Sequence, residues 1–354
     1  MKNIIKLNKN DKIVNFGRTG INEAGTALFW TGSAIEFNIY ASELCVSIEC
    51  WYAERELMID IILDGERSQK LILKNGLDKY TVFRGMNPEK PVNVRIVRDT
   101  QCMPDDSTSY ILLSELETDG KLTTAPKYDF NIEFIGDSLT SGEGCGLIKR
   151  DEWAPVVFDA LDSYTYQVAR TLDARYSVLS QSGWGLYASW DGNFKNVLPD
   201  YYELVCGTSR CKRAISLGAH DTYDFTSTEM DVVLINLGTN DWNALNTDRF
   251  DNDKFLKDFK EKGIEFLKKV RKLNSTCLII WAYGMLGHEM EPYIKEIIRE
   301  YVIETGDKRA EYLRLPKCTP AELGARFHPT PEAHYKTAGI IADHIRSVQA
   351  YMLR

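Results

Sequence analysis

Residues 131–144, NIEFIGDSLTSGEG, decide how this chain is read. Ile132, Phe134 and Ile135 make a short apolar run of the kind a buried strand requires. Gly136-Asp137-Ser138 breaks that run, and a looser cluster of serine and glycine follows. A hydroxyl placed where a buried strand gives way to a loop is well sited for a nucleophile. The strand end fixes its position while the loop leaves it open to substrate. Gly-Asp-Ser is also ordinary turn chemistry. The reading therefore depends on whether the rest of the chain supplies a base and an oxyanion site.

On the C-terminal side of this stretch, strand and helix patterns alternate. Strands are expected at 131–136, 176–182, 231–238, 276–283 and 311–315, and helices near 163–174, 254–272, 289–305 and from about 331. In the second helix Phe255, Phe259, Phe266 and Val270 share one face, with lysines and acids opposite. Thr330-Pro331 offers a capping hydroxyl and a proline at the first helical position of the last helix. This alternation predicts a parallel five-stranded sheet covered on both sides, with the reactive edge beyond the carboxyl ends of the strands.

On the N-terminal side, from about Val14 to Glu117, the pattern has period two. Val46, Ile48 and Cys50 alternate with Cys45, Ser47 and Glu49, and Asp64-Gly65, Asn75-Gly76 and Asp119-Gly120 are hairpin-type turns. About nine short strands fit, which predicts a β-sandwich or jelly roll. KLTTAPKYD at 121–129 reads as a linker, giving domains 1–122 and 123–354.

The composition, 44% apolar and 27% charged over 354 residues, is that of a globular protein with material for two cores. A net charge of −8 argues against nucleic-acid or anionic-membrane partners, which require a basic surface. The start of the chain lacks the apolar core of a secretory signal, and eight scattered cysteines read as reduced thiols, so a cytoplasmic location is expected. The sequence is compatible with an oligomer.

Three more clusters follow predicted strands or precede the last helix: Ser182-Gly183-Trp184-Gly185, Gly238-Thr239-Asn240-Asp241 and Phe327-His328-Pro329. A parallel sheet brings all of them to the edge that carries Ser138. A serine needs a base, and imidazole is the usual one near neutral pH. Attack on an ester carbonyl also needs donors for the developing oxyanion. The N–H groups of Ser138 and Gly183 and the side-chain amide of Asn240 are candidates. Asp241 reads as a brace for its loop. Trp184, Tyr187, Trp190 and Trp242 cluster around these loops, and Trp184, Tyr187 and Trp242 are taken as candidate substrate contacts, stacking on sugar rings, sealing a small acyl pocket or simply packing. Cys206, Cys211 and His220 lack the spacing and the fourth ligand of a metal site, so no metal is read there, and a serine hydrolysing an ester needs neither metal nor organic cofactor.

These four blocks resemble those of the SGNH/GDSL hydrolases, and the agreement is closer with carbohydrate esterase family 2. Phe16-Gly17-Arg18, Phe29-Trp30-Thr31-Gly32-Ser33, Leu63-Asp64-Gly65 and Tyr223-Asp224-Phe225 are similar to other parts of that family's pattern. The resemblance implies a three-layer α/β/α SGNH domain preceded by a jelly roll. It also implies an acetyl esterase acting on O-acetylated xylo- or other oligosaccharides. In that reading Ser138 is the nucleophile, His328 the base, and Gly183 and Asn240 the oxyanion donors. Two features depart from the pattern. Ala325 and Arg326 stand where the family carries an acid before the histidine, so a Ser–His dyad oriented by a backbone carbonyl is expected, with Glu322 as an alternative. Residues 203–220 look like an insertion forming a lid or an interface. The competing readings are a thioesterase or lipid esterase, or a carbohydrate-binding protein with a degenerate hydrolase half.

Overall fold

The computed structural model describes residues 2–8, 10–103, 105–146, 153–247 and 249–352. The chain divides into two compact units, Met1–Tyr128 with Glu203–Tyr223, and Asp129–Tyr202 with Asp224–Arg354.

Among the described residues, the first unit contains strands β1 (Asn3–Lys6), β2 (Val14–Phe16), β3 (Thr19–Asn22), β4 (Gly25–Leu28), β5 (Ala34–Tyr40) and β6 (Glu43–Trp51). They are followed by β7 (Met58–Leu63), β8 (Glu66–Ile72), β9 (Gly76–Arg84), β10 (Val92–Arg98), β11 (Tyr110–Thr118) and β12 (Lys121–Leu122). They form two antiparallel sheets, ordered β3-β4-β11-β6-β9 with β1 on β11, and β12-β5-β10-β7-β8 with β2 on β5. The inward residues of both sheets, among them Phe37, Val46, Ile48, Ile61, Val94, Ile96, Ile111 and Leu113, make one shared core. Alternate side chains of a strand face opposite ways, so the period-two pattern is what fills that core from both sides. The start of the expected linker, Lys121–Leu122, is itself an edge strand paired with Tyr40 and Ile39.

The segment read from the sequence as an insertion is part of this first unit. The buried Arg18 donates to the carbonyl of Leu204 at 3.0 Å and lies over the ring of Tyr223. The indole N–H of the buried Trp30 donates to the carbonyl of Val205 at 2.8 Å. Ser209 Oγ donates to the carbonyl of Ser109, and Arg213 forks onto Glu49 with two contacts of 2.8 Å. Buried donors need acceptors, and here the returning backbone provides them. Cys211 caps the short helix of this segment through the N–H of Ala214, Cys206 Sγ lies against Thr208, and His220 Nε2 faces the carbonyl of Ser209.

In the second unit, β13 (Asn131–Gly136), β14 (Arg175–Ser180), β15 (Val232–Asn236), β16 (Leu278–Tyr283) and β17 (Ala310–Arg314) form a parallel sheet in the order β14-β13-β15-β16-β17. Its helices include α1 (Ala154–Val157), α2 (Tyr164–Thr171), α4 (Thr239–Leu245), α5 (Asn252–Leu273), α6 (Glu291–Thr305) and α7 (Pro331–Met352), α3 (Lys212–Ser216) being the Cys211-capped helix of the first unit. α5 buries Phe255, Phe259, Phe266 and Val270, the stripe its sequence displays, together with Ile264 and Leu267. α2 packs beside α7, and α5 beside α6. Right-handed crossovers from β13 outward in both directions put these two pairs on opposite faces of the sheet. The strand order reverses at β13, so the crevice beyond its carboxyl end is a topological switch point, where α/β sheets place their ligands. No described helix is long and apolar enough to cross a membrane.

Candidate active site

Ser138 follows the end of β13 by two residues and is buried. Its loop is closely tied down. The carbonyl of Asp137 accepts the N–H groups of Thr140 and Ser141, and the carbonyl of Ser138 accepts that of Glu143. Thr140 Oγ1 lies 2.8 Å from the Tyr164 hydroxyl, and Ser141 Oγ donates to Ser180 Oγ at the end of β14. A side chain at Gly136 would collide with Thr140 Oγ1, so the tight turn under Ser138 needs glycine there.

His328 comes from the loop between β17 and α7. Its Nε2 lies 2.7 Å from Ser138 Oγ, and its Nδ1 lies 2.9 Å from the carbonyl oxygen of Arg326. A carbonyl only accepts, so the contact at Nδ1 assigns the ring proton to that nitrogen and leaves Nε2 as the acceptor for the serine hydroxyl. The loop that makes this contact is strained. Arg326 and Phe327 both have positive φ, 51° and 58°, in the left-handed region that costs a side-chain-bearing residue about 1–2 kcal/mol. The turn is held by hydrogen bonds from the His328 N–H to the Ala325 carbonyl and from the Gly324 N–H to the His328 carbonyl. Glu322 is engaged elsewhere. It closes a capping box with Thr319 and reaches Lys336 at 3.4 Å.

Gly183 sits beyond β14 with φ +77°, and its carbonyl accepts the N–H of Trp190. Among the described residues neither the Ser138 nor the Gly183 N–H has a protein acceptor. Asn240, in the first turn of α4 after β15, donates through Nδ2 to the Trp184 carbonyl at 3.0 Å and to Asp137 Oδ2 at 3.1 Å. Asp137 is fully buried, and burial pushes its carboxyl up to about 7 against the pull of the Leu139 N–H. Asp241 accepts the N–H groups of Leu186, Tyr187 and Ala188 at 2.8–2.9 Å, so it fixes the loop that follows Gly183, while burial raises its carboxyl to about 6.

The aromatic candidates separate. Trp184 is buried with its ring on Tyr201, and Trp242 is half-buried on α4. Tyr187 packs against Phe194 and Phe255, and its hydroxyl donates to Asp258 at 2.9 Å, which commits it to the α5 side. Trp190 and Phe327 are exposed, Phe327 81% so beside His328.

One charged group at the centre was not singled out by sequence reasoning. Glu143 is buried, its Oε1 pairs with Arg326 Nη1 at 3.1 Å, its Oε2 accepts the Ser182 hydroxyl at 2.6 Å, and that oxygen stands 3.9 Å from His328 Nε2. Chemically, the arrangement presents a hydroxyl, an oriented imidazole and free amide donors at one sheet edge, the parts needed for acyl transfer.

A GDSL-like lipase/acylhydrolase model matches residues 132–341. Over 99% of both chains, the structure is similar to an acetyl xylan esterase (Est2A) from the rumen bacterium Butyrivibrio proteoclasticus, with 32% identity and a TM-score of 0.94. A family two carbohydrate esterase from Clostridium thermocellum, solved in complex with cellohexaose, shares the fold at a TM-score of 0.82 and 24% identity, over 96% of this chain and 99% of the other. The cellulase/esterase CelE of Acetivibrio thermocellus is 25% identical over 335 residues, 91% of this chain but 38% of that protein. The chain therefore spans less than half the length of that curated relative.

Proposed function

Because the chain belongs to the GDSL-like lipase/acylhydrolase family, we propose that it is a serine esterase that removes acetyl groups from carbohydrate hydroxyls. The observation that carries this is the contact of Ser138 Oγ with His328 Nε2 at 2.7 Å, the opposite nitrogen being held by a carbonyl. The similarity over 99% of both chains to an acetyl xylan esterase supports acetylated xylo-oligosaccharide or a related glycan as the substrate. The N-terminal sheets, sharing one core, are read as a jelly roll of the kind that resemblance implies.

In this mechanism Ser138 attacks the acetyl carbonyl as its proton passes to His328 Nε2. The tetrahedral oxyanion is met by the N–H groups of Ser138 and Gly183 and by Asn240, which gives up one of its two resting acceptors to take part. Collapse breaks the bond to the sugar oxygen, which takes the proton from the imidazolium and leaves an acetyl-serine. Water, deprotonated by His328, repeats the attack, releases acetate and restores the hydroxyl. No metal or cofactor enters any step.

The test is release of acetate from acetylated xylo-, manno- and cello-oligosaccharides, with p-nitrophenyl acetate alongside. Wild type should turn over, while Ser138→Ala and His328→Ala should fall by at least about 10³-fold. An inert wild type, or a Ser138→Ala variant of full activity, sinks the reading. A rate that climbs steadily from acetate to octanoate esters favours a lipid esterase instead.

A further inference from the structure

We infer that Glu143 is the positioning residue that compensates for the missing acid of the histidine loop, by tying that loop and the oxyanion loop to one buried carboxylate. The inference rests on the esterase reading of the same site.

A backbone carbonyl can set the tautomer of an imidazole, but it has no side chain of its own to be packed and held. It points wherever its residue's φ and ψ put it. The carbonyl that faces His328 Nδ1 belongs to Arg326, and Arg326 occupies the left-handed region at φ 51°, ψ 29°. Such a conformation persists only where surrounding contacts over-determine it. Among the described residues, a charged contact that helps do so is the pair from Arg326 Nη1 to Glu143 Oε1 at 3.1 Å, with the carboxylate buried and the guanidinium mostly shielded. Partners separated by 183 positions in sequence are thereby closed onto the nucleophile loop.

The second oxygen of Glu143 accepts the Ser182 hydroxyl at 2.6 Å. Ser182 immediately precedes Gly183, whose N–H is one of the oxyanion donors. One carboxylate therefore references the base and the oxyanion site to the same loop that carries Ser138. Gly144 lets the segment approach this closely. Its φ is +91°, and a side chain there would lie 2.6 Å from His328 Cβ and 2.9 Å from its carbonyl carbon. The Glu143 oxygen nearest the ring, 3.9 Å from Nε2, is also placed to favour the imidazolium that forms when Ser138 loses its proton.

The test uses the full chain with acetylated xylo-oligosaccharide and p-nitrophenyl acetate as substrates. Glu143→Gln is nearly isosteric and keeps one acceptor for Ser182, but turns an uncharged group toward Arg326. It should lower kcat by about 30- to 100-fold while KM moves less than about threefold, a split that loss of general folding does not produce. Arg326→Met keeps the backbone carbonyl but removes the tether, and should lower kcat about 10-fold. Arg326→Lys, which retains the charge, should recover most of that loss. If Glu143→Gln fails to fold, the Met and Lys pair carries the test alone. Wild-type kcat in Glu143→Gln or in Arg326→Met, or equal losses in the Met and Lys variants, overturns the inference. An active wild type with a dead Ser138→Ala would, in that event, leave the esterase reading standing.

Discussion

Replacing Asp241 by asparagine exposes the cost of building the site around a buried charge. Asp241 is fully buried and serves three backbone donors, the N–H groups of Leu186, Tyr187 and Ala188. Burial is the leading influence on its pKa, which rises from 3.8 to about 6 even though all three donors pull the other way. A raised native value means that the folded chain keeps the proton at a pH where the unfolded chain has released it. The associated stability is complete below about pH 4 and is lost as pH rises through about 6. The displacement from 3.8 to about 6 is worth about 3 kcal/mol. Asparagine does not ionise and escapes that loss, but it turns an amide donor toward one of the N–H groups, a penalty of about 1–3 kcal/mol that does not depend on pH. The difference in stability, variant minus wild type, should therefore climb by about 2 kcal/mol between about pH 4.5 and pH 7.5. Urea unfolding followed by tryptophan fluorescence at constant ionic strength measures it, provided the two proteins show the same slope with denaturant. A difference that stays flat across that range, or that falls, would refute the account of Asp241 as a carboxylate held in the loop against its own desolvation.

Two further variants probe the proposed oxyanion donors. Gly183→Ala places a methyl 2.7 Å from Trp190 Cδ1 at a φ of +77°. Trp190 is exposed and its ring can swing aside, so stability should drop by only about 1–2 kcal/mol; alanine keeps the N–H but the strain at this φ displaces it, so turnover should fall by up to about 10²-fold, and unchanged turnover would remove Gly183 from the site. Asn240→Ala deletes a donor and leaves the buried Asp137 carboxylate and Trp184 carbonyl short of a partner. It should cost about 10²–10³ in kcat and about 1–3 kcal/mol in urea unfolding, and a variant that loses stability alone would make Asn240 a bracing residue only.

What could be seen in the sequence, and what could not, follows the range of the interactions concerned. Strands β13 to β17 could be read because their apolar runs and the intervening helical stripes are local patterns, and the parallel topology then carried Ser138, Gly183, Asn240 and His328 to one edge without any further information. The first unit was less fully readable. About nine strands were expected between Val14 and Glu117 and ten are found there among the described residues, because strands as short as β2 and β3 make no periodic signal of their own. The segment 203–220 gave no hint of where it belongs, since what fixes it is a pair of buried donors, Arg18 and Trp30, seeking carbonyls some 175 or more positions away. Tyr187 illustrates the opposite limit. Its proximity to the reactive blocks is true in sequence, yet its ring answers to Phe194, Phe255 and Asp258.

The partner of His328 is likewise set by long-range contacts. The residues just before it are Ala325 and Arg326, neither of them an acid. Arg326 looks like the wrong charge in the acid's place. In the folded chain it supplies the carbonyl that orients Nδ1, and its guanidinium needs an anion to hold that carbonyl in a left-handed turn. Among the described residues Glu143 is such an anion, five residues beyond Ser138 and inside the stretch NIEFIGDSLTSGEG itself. Moving the carboxylate from the histidine loop to the nucleophile loop changes what it can do. It no longer touches Nδ1, but it can hold the Arg326 turn, the Ser182–Gly183 loop and the Nε2 side of the ring together. An arginine two residues before the histidine and a glutamate five after the serine are thus one device, and neither is informative when read alone.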